Sequence, residues 1–225
     1  MGEHLKIESD DGFELGVYMV RPKGIAKGGI LVIQEIFGVN GHIREVADGY
    51  ADQGYLVVAP KIFDRVDQDI ELGYEETDMG KGVELAFQKL NMEQTLLDLQ
   101  ASINLLKSEV SAVGVVGYCF GGLLTWLSAC TLEQVDAAVS YYGGGVANQL
   151  DKQARCPVMM HFGELDAHIP LTDVEKVRNA QPAVQLFTYD ADHGFNCDHR
   201  GSYDEVASNQ ARQRTLDFFD QYLTQ

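Results

Sequence analysis

Basic residues are scarce in this chain: 17 Lys and Arg stand against 34 Asp and Glu, a formal net charge of −17. A surface of that sign repels nucleic-acid phosphates and anionic lipid headgroups, so neither is expected as a partner. Any small anionic ligand would need a local cation. Long apolar runs are also missing. Nothing approaches the roughly 18 to 20 apolar residues that cross a bilayer, although the 45% hydrophobic content suits a globular core. The opening Met1-Gly2-Glu3-His4-Leu5-Lys6 is charged and has no apolar stretch of the secretory kind, which predicts a cytoplasmic protein. Cysteine occurs only as Cys119, Cys130, Cys156 and Cys197, never as Cys-x2-Cys, and a chain of this size needs no disulfide stapling. Gly143-Gly144-Gly145 lacks the Lys-Ser/Thr of a phosphate-binding loop, and no Gly-x-Gly-x-x-Gly opens the first helix, so no nucleotide cofactor is expected. No Ser/Gly/Pro linker or charge block divides the 225 residues, which predicts one domain over 1–225.

What the chain has is a strand–helix rhythm. Residues 6–8 and 13–20, joined through Asp10-Asp11-Gly12, read as an antiparallel entry hairpin. Short β-branched apolar runs at 30–33, 55–59, 112–116, 137–141, 157–162 and 183–188 read as strands, those in the centre buried on both faces. Helical patterns fall at 41–53, 82–90, 92–106, 122–130, 171–179 and 205–222. In the run at 92–106, Met92, Leu96, Leu99, Ile103 and Leu106 recur at spacings of three and four. From 61 to 79 the pattern loses periodicity, and 61–91 is expected to form a lid or pocket wall. The predicted fold is a three-layer α/β/α sandwich on a mostly parallel sheet, whose ligands bind beyond the carboxyl ends of the strands.

Gly117-Tyr118-Cys119-Phe120-Gly121 lies between a strand and a helix. A reactive side chain on so sharp a turn needs small flanking residues, and amides at the helix start can receive a developing oxyanion; Cys119 is therefore the candidate nucleophile. Asp166 follows the strand at 157–162, and His193 follows the last strand. The order Cys119, Asp166, His193 is nucleophile, acid, base, with the carboxylate orienting the imidazole. Asp192 is the rival acid, but adjacency to His193 would turn its side chain from the ring. Glu35 ends an apolar strand, where an unpaired carboxylate is costly and demands a role or a partner. The amides of Ile36 and Phe120 form the natural oxyanion pair. His161, Glu164, Asp166 and His168 could in principle hold a metal, yet that loop is already accounted for by the acid, so no metal is expected.

Gln34-Glu35-Ile36-Phe37-Gly38-Val39-Asn40, Gly117-Tyr118-Cys119-Phe120-Gly121-Gly122, Tyr141-Tyr142-Gly143, Gly163-Glu164-Leu165-Asp166 and His193-Gly194-Phe195 resemble the dienelactone hydrolase (carboxymethylenebutenolidase) family of the α/β-hydrolases, and the likeness covers nearly the whole chain. The resemblance implies a cofactor-free carboxylic ester hydrolase that opens an anionic enol-lactone through a cysteine thioester. It places the nucleophile on Cys119, the acid on Asp166, the base on His193, and on Glu35 a glutamate that takes part in activating the thiol. Phe37, Tyr142 and Phe195 are expected beside the substrate. Of two arginines that grip the substrate carboxylate, the first falls on Arg65; Cys197 stands in place of the second, with His199 and Arg200 close by. The altered stretch at 66–90 would reshape the pocket wall. Small lactones or activated esters are the expected substrates, and a monomer or small homo-oligomer is the expected assembly. A non-catalytic small-ligand binder and a hydrolase of another activated acyl compound, such as a thioester, remain open alternatives.

Overall fold

The computed structural model describes residues 2–224. Eight strands form one sheet in the order β1-β2-β4-β3-β5-β6-β7-β8. They are β1 (Glu3–Glu8), β2 (Glu14–Val20), β3 (Gly29–Ile33), β4 (Leu56–Pro60), β5 (Val113–Tyr118), β6 (Ala137–Tyr141), β7 (Val158–Gly163) and β8 (Gln185–Tyr189). Pairing is antiparallel for β1–β2 and β2–β4 and parallel from β4 to β8. Strands β3 to β7 are buried along their whole length, as their unbroken apolar runs require, whereas the edge strands β1 and β8 keep exposed residues.

Helices cover both faces, giving the three layers expected. They are α1 (Gly41–Asp52), α2 (Glu76–Glu84), α3 (Met92–Lys107), α4 (Phe120–Thr131), α5 (Leu171–Ala180) and α6 (Glu205–Leu223). Side chains on a strand alternate between faces, and two glycines show which helix each face meets. A side chain at Gly29 would run into Leu106 and Val110 beside α3, and one at Gly114 would meet Phe219 and Leu223 of α6. Gly29 pairs with Val113 and Ile30 with Gly114, so these successive pairs face opposite layers. Helix α1 joins α6, with Tyr50 and Phe219 rings 6.2 Å apart and Arg212 donating to the Gly49 carbonyl at 3.1 Å. Helices α3 and α4 pack together on the other side. Among the described residues no helix is long and apolar enough to cross a membrane.

The excursion differs from the sequence reading. A 3₁₀ turn, Ile62–Arg65, follows β4, and α2 begins at Glu76 rather than at 82. Its start is set by polar caps, with the Asp78 carboxylate accepting from the Glu75 amide at 3.4 Å, and it ends in a π turn over Leu85–Lys89. From Glu76 to Lys81 the only large apolar side chain is Met79, which leaves little periodicity to read before 82.

Arg65 requires a correction. Its guanidinium makes a fork with Asp98 of α3 at 2.7 Å for each arm, bonds Asp11 at 2.8 and 3.0 Å, and lies 4.4 Å over the Phe13 ring. Ser9 also donates to Asp98. Four of the guanidinium's five N–H donors are thus spent tying the β1–β2 turn to α3 rather than offered to a substrate carboxylate. Arg65→Ala would strand the fully buried Asp98 charge, and an equilibrium urea titration is expected to show a loss of about 3 to 5 kcal/mol. Turnover measured well below the melting temperature should change less than about threefold, because the residue stands apart from the cavity described next.

Candidate active site

Parallel register brings the strand ends together. Ile33 pairs with Gly117, Tyr118 with Tyr141, and Gly163 with Tyr189, so the loops after β3, β5, β6, β7 and β8 leave one edge of the sheet. Cys119 sits alone between β5 and α4 with φ 54° and ψ −114°, a backbone conformation that L residues rarely hold. Its amide donates to the Tyr141 carbonyl at 3.0 Å, and its carbonyl accepts from Gly122 at 2.9 Å. The flanking glycines permit this. A side chain at Gly117 would collide with the Gly121 carbonyl, and one at Gly121 with the carbonyls of Ile33 and Gln34.

The sulfur opens into a cavity of about 330 Å³. Ile36, Phe37, Phe120 and Leu123 form its inner wall, and Met79, Val83 and Phe87 from α2 and the π turn form the outer one. Phe87 meets Phe120 edge-on at 5.2 Å. Met79, Val83 and Phe87 all fall within the excursion at 61–91. His168, His193 and Arg200 are the titratable side chains lining the cavity besides Cys119. Phe120 is the first residue of α4, so its amide has no partner inside the helix. Among the described residues the Ile36 amide meets no acceptor either.

His193 Nδ1 lies 2.7 Å from Asp166 Oδ2, while Asp166 Oδ1 accepts from the amides of His168 and Ile169 at 2.8 and 3.2 Å. Burial would raise the Asp166 pKa, but the His193 bond and ion pair and the amide bond hold it below the usual carboxylate value. Burial likewise opposes charge on His193. Hydrogen bonds to Asp166 and to Cys119 overcome it and push the imidazole up to about 10. Cys119, His193 and Asp166 thus come together in the order the sequence implies. Asp192 is turned away, accepting instead from the His193 amide at 2.6 Å.

Glu35 is fully buried, with Oε1 3.4 Å from Arg200 Nη1 and Oε2 without a partner. The Arg200 guanidinium lies 5.7 Å from the Phe37 ring and 5.8 Å from the Tyr74 ring. Of the two positions named near the missing second arginine, Arg200 reaches the cavity, while His199 turns outward to Glu45 at 2.7 Å. Cys197 is buried, and its thiol is pushed up to about 12 by burial and by the Glu35 charge. Two expected substrate contacts shift in meaning. Tyr142 and Phe195 are fully buried and do not line the cavity. Tyr142 lies behind His193 at 5.1 Å between ring centroids, and Phe195 backs Tyr142 at 5.3 Å. Phe37 does line it.

His161 is bonded on both nitrogens, to the Tyr189 and Thr215 hydroxyls at 2.8 and 3.1 Å, and burial lowers its pKa to about 3. Glu164 accepts from Thr188. Neither joins Asp166 in a ligand set, and His168 instead meets the His193 ring edge-on at 5.4 Å. Met79, Val83, Phe87 and Leu123 escaped the sequence reading because apolar residues at helical spacing look the same in a core and in a pocket.

A sharp turn between the fifth strand and a helix of this sheet, with an aspartate and a histidine on later loops, is the arrangement of the α/β-hydrolase fold. The chain belongs to the dienelactone hydrolase family, whose model matches residues 15–223. It is 34% identical over 234 residues to a Synechocystis sp. protein assigned as a carboxymethylenebutenolidase, covering 95% of this chain and 94% of that one. It is 32% identical over 225 residues to the carboxymethylenebutenolidase of Pseudomonas putida, covering 96% and 95%. The crystal structure of a Klebsiella pneumoniae protein assigned as a dienelactone hydrolase superposes with a TM-score of 0.85 at 32% identity, covering 99% of each chain. Membership supports a hydrolase of ester or lactone type.

The pairing of His193 has a stability consequence. Because its folded pKa lies above the unfolded value of 6.5, its contribution is complete below about pH 6.5 and is lost as the pH rises through about 10. The Asp166 contribution is present above about pH 4 and fades as the pH falls through its lowered folded pKa. Asp166→Asn should therefore cost most between about pH 4.5 and 6.5, on the order of 2 kcal/mol, with the gap to wild type closing towards pH 10. Urea unfolding of both proteins at four or five pH values checks this, and a gap that widens with rising pH would contradict it.

Proposed function

We propose that this protein hydrolyses lactones and activated esters through a thioester on Cys119. The observation that carries the reading is the placement of Cys119: a strained turn sets it at the wall of a largely apolar cavity that His193 also lines, with an aspartate orienting that histidine. The thiol's proton rests on His193 while the sulfur attacks the carbonyl, and the amides of Ile36 and Phe120 receive the oxyanion. Collapse breaks the acyl–oxygen bond, forms the thioester and releases an alkoxide or enolate, which remains tethered in a lactone and takes up the proton from His193. In the second half His193 removes a proton from water, the hydroxide attacks the thioester, and expulsion of sulfur leaves a carboxylate product. Good leaving groups are favoured, because expulsion competes with loss of the thiolate itself.

Arg200 puts a guanidinium at the wall of the mainly apolar cavity, so a substrate carrying a carboxylate is the best fit. That carboxylate would compete with Glu35 for the guanidinium. In this reading Glu35 assists activation of Cys119 once substrate is bound. The sulfur, not a pocket alone, is what separates this proposal from a non-catalytic binder.

Cys119→Ala is expected to fold normally and to lose about three orders of magnitude or more in kcat/KM on an activated lactone, and iodoacetamide should label Cys119 in parallel with inactivation. Retained turnover in that variant would remove the nucleophile assignment. Arg200→Gln should raise KM about 10- to 100-fold for a carboxylate-bearing lactone and under about threefold for its neutral methyl ester. Equal losses on both would count against anion recognition by Arg200.

A further inference from the structure

Behind the active-site rim lies a second group of chemistry-bearing side chains, which the mechanism does not use. His42 and Glu45 stand on the first turn of α1, one helical step apart, and Asp198 and His199 follow each other in the loop after β8. One ligand atom from each of the four lies within 4.8 Å of every other. His42 Nδ1 is 3.3 Å from Asp198 Oδ1, and His199 Nε2 is 2.7 Å from Glu45 Oε2 and 3.9 Å from Asp198 Oδ1. In a tetrahedron of zinc bonds of about 2.0 to 2.2 Å the ligand atoms stand about 3.4 Å apart. The set already spans that spacing, and the three outer side chains are exposed enough to adjust.

The second observation is His42 itself. It is 2% exposed, and neither ring nitrogen has a hydrogen-bond partner, its approach to Asp198 being too poorly aligned to count as one. A buried imidazole with both nitrogens unsatisfied is costly unless something else occupies one of them. Nδ1 points to the carboxylate and histidine just described, at the wall of an open cleft of about 220 Å³ that also includes Glu45 and Asp198.

We propose that His42, Glu45, Asp198 and His199 form a binding site for a zinc-class divalent transition metal. Two imidazoles and two carboxylates suit such an ion better than calcium or magnesium, which take oxygen ligands alone. The net charge of −17 raises the local concentration of any cation. Bound there, the metal would pin the loop that carries Arg200, and that follows His193, to the helix that follows the Glu35–Ile36 loop. It would brace the two sides of the active-site rim without entering it. A ring nitrogen of His42 also lies within 4.8 Å of Glu35 and Cys197, so the brace ends beside the buried carboxylate.

Zinc chloride titrated calorimetrically into the full-length Cys119→Ala chain, in a non-chelating buffer at pH 7.5, tests the site without competition from the catalytic thiol. One equivalent should bind with micromolar affinity. His199→Ala and Asp198→Asn, both surface substitutions expected to fold, should each weaken binding at least tenfold, and cobalt(II) in the same chain should show the visible absorption of a tetrahedral ion. Absence of saturable binding, or affinity unchanged in both variants, would overturn the proposal. Affinity lost in Cys197→Ala but kept in His199→Ala would overturn it equally, because the metal would then belong to Glu35, His42 and Cys197.

Discussion

Backbone contact between α4 and the sheet is the constraint on which the rest of the molecule depends. Gly117 and Gly121 let the helix approach until carbonyls of the β3 end and of α4 fill the space where side chains would stand. Only at that separation does Cys119 hold φ 54° and ψ −114°, a conformation that costs about 1 to 3 kcal/mol and persists because strands and helix over-determine it. The same approach sets the Phe120 amide beside the sulfur and brings the Ile36 loop across from it. Any loosening of the packing would move Cys119 and the Phe120 amide together, since both belong to one turn.

The electrostatics follow a similar economy. In an acidic protein, positive charge in the interior must be assigned to particular carboxylates, and the two central arginines have opposite fates. Arg65 is saturated by Asp98 and Asp11 and acts as a structural clamp. Arg200 has a looser 3.4 Å contact with Glu35 and rests near two aromatic rings, so it faces the cavity with donors to spare. His193, between Asp166 and Cys119, is the third case: a cation stabilised strongly enough by its neighbours to overcome burial. The proposed metal site extends this logic to the rim, where unsatisfied imidazole nitrogens meet exposed carboxylates.

The strand–helix alternation, the entry hairpin and the elbow were legible in the residues. Central strands announce themselves by unbroken β-branched runs, and the elbow by glycines around a reactive side chain. The start of α2 was not legible, because the helix is begun by capping and Met79 is the only large apolar side chain between Glu76 and Lys81. Nor was the division between Phe37, which lines the cavity, and Phe195 and Tyr142, which support it from behind: all three are buried aromatics on loops at one sheet edge, and only their neighbours tell them apart. Asp192 could be set aside in favour of Asp166 from chain geometry alone, since a side chain adjoining the histidine cannot easily turn back to its ring.

By itself, then, the amino-acid order determined the layers, the family and the three groups gathered around the sulfur, because these follow from local periodicity and from short motifs whose spacing is contiguous. Which arginine meets a ligand, which apolar residues form a pocket, and that His42 and His199 share a space were decided only by tertiary structure. Those properties depend on contacts between segments as much as 165 positions apart, and free charge, like free volume, is what remains after every such contact has been made.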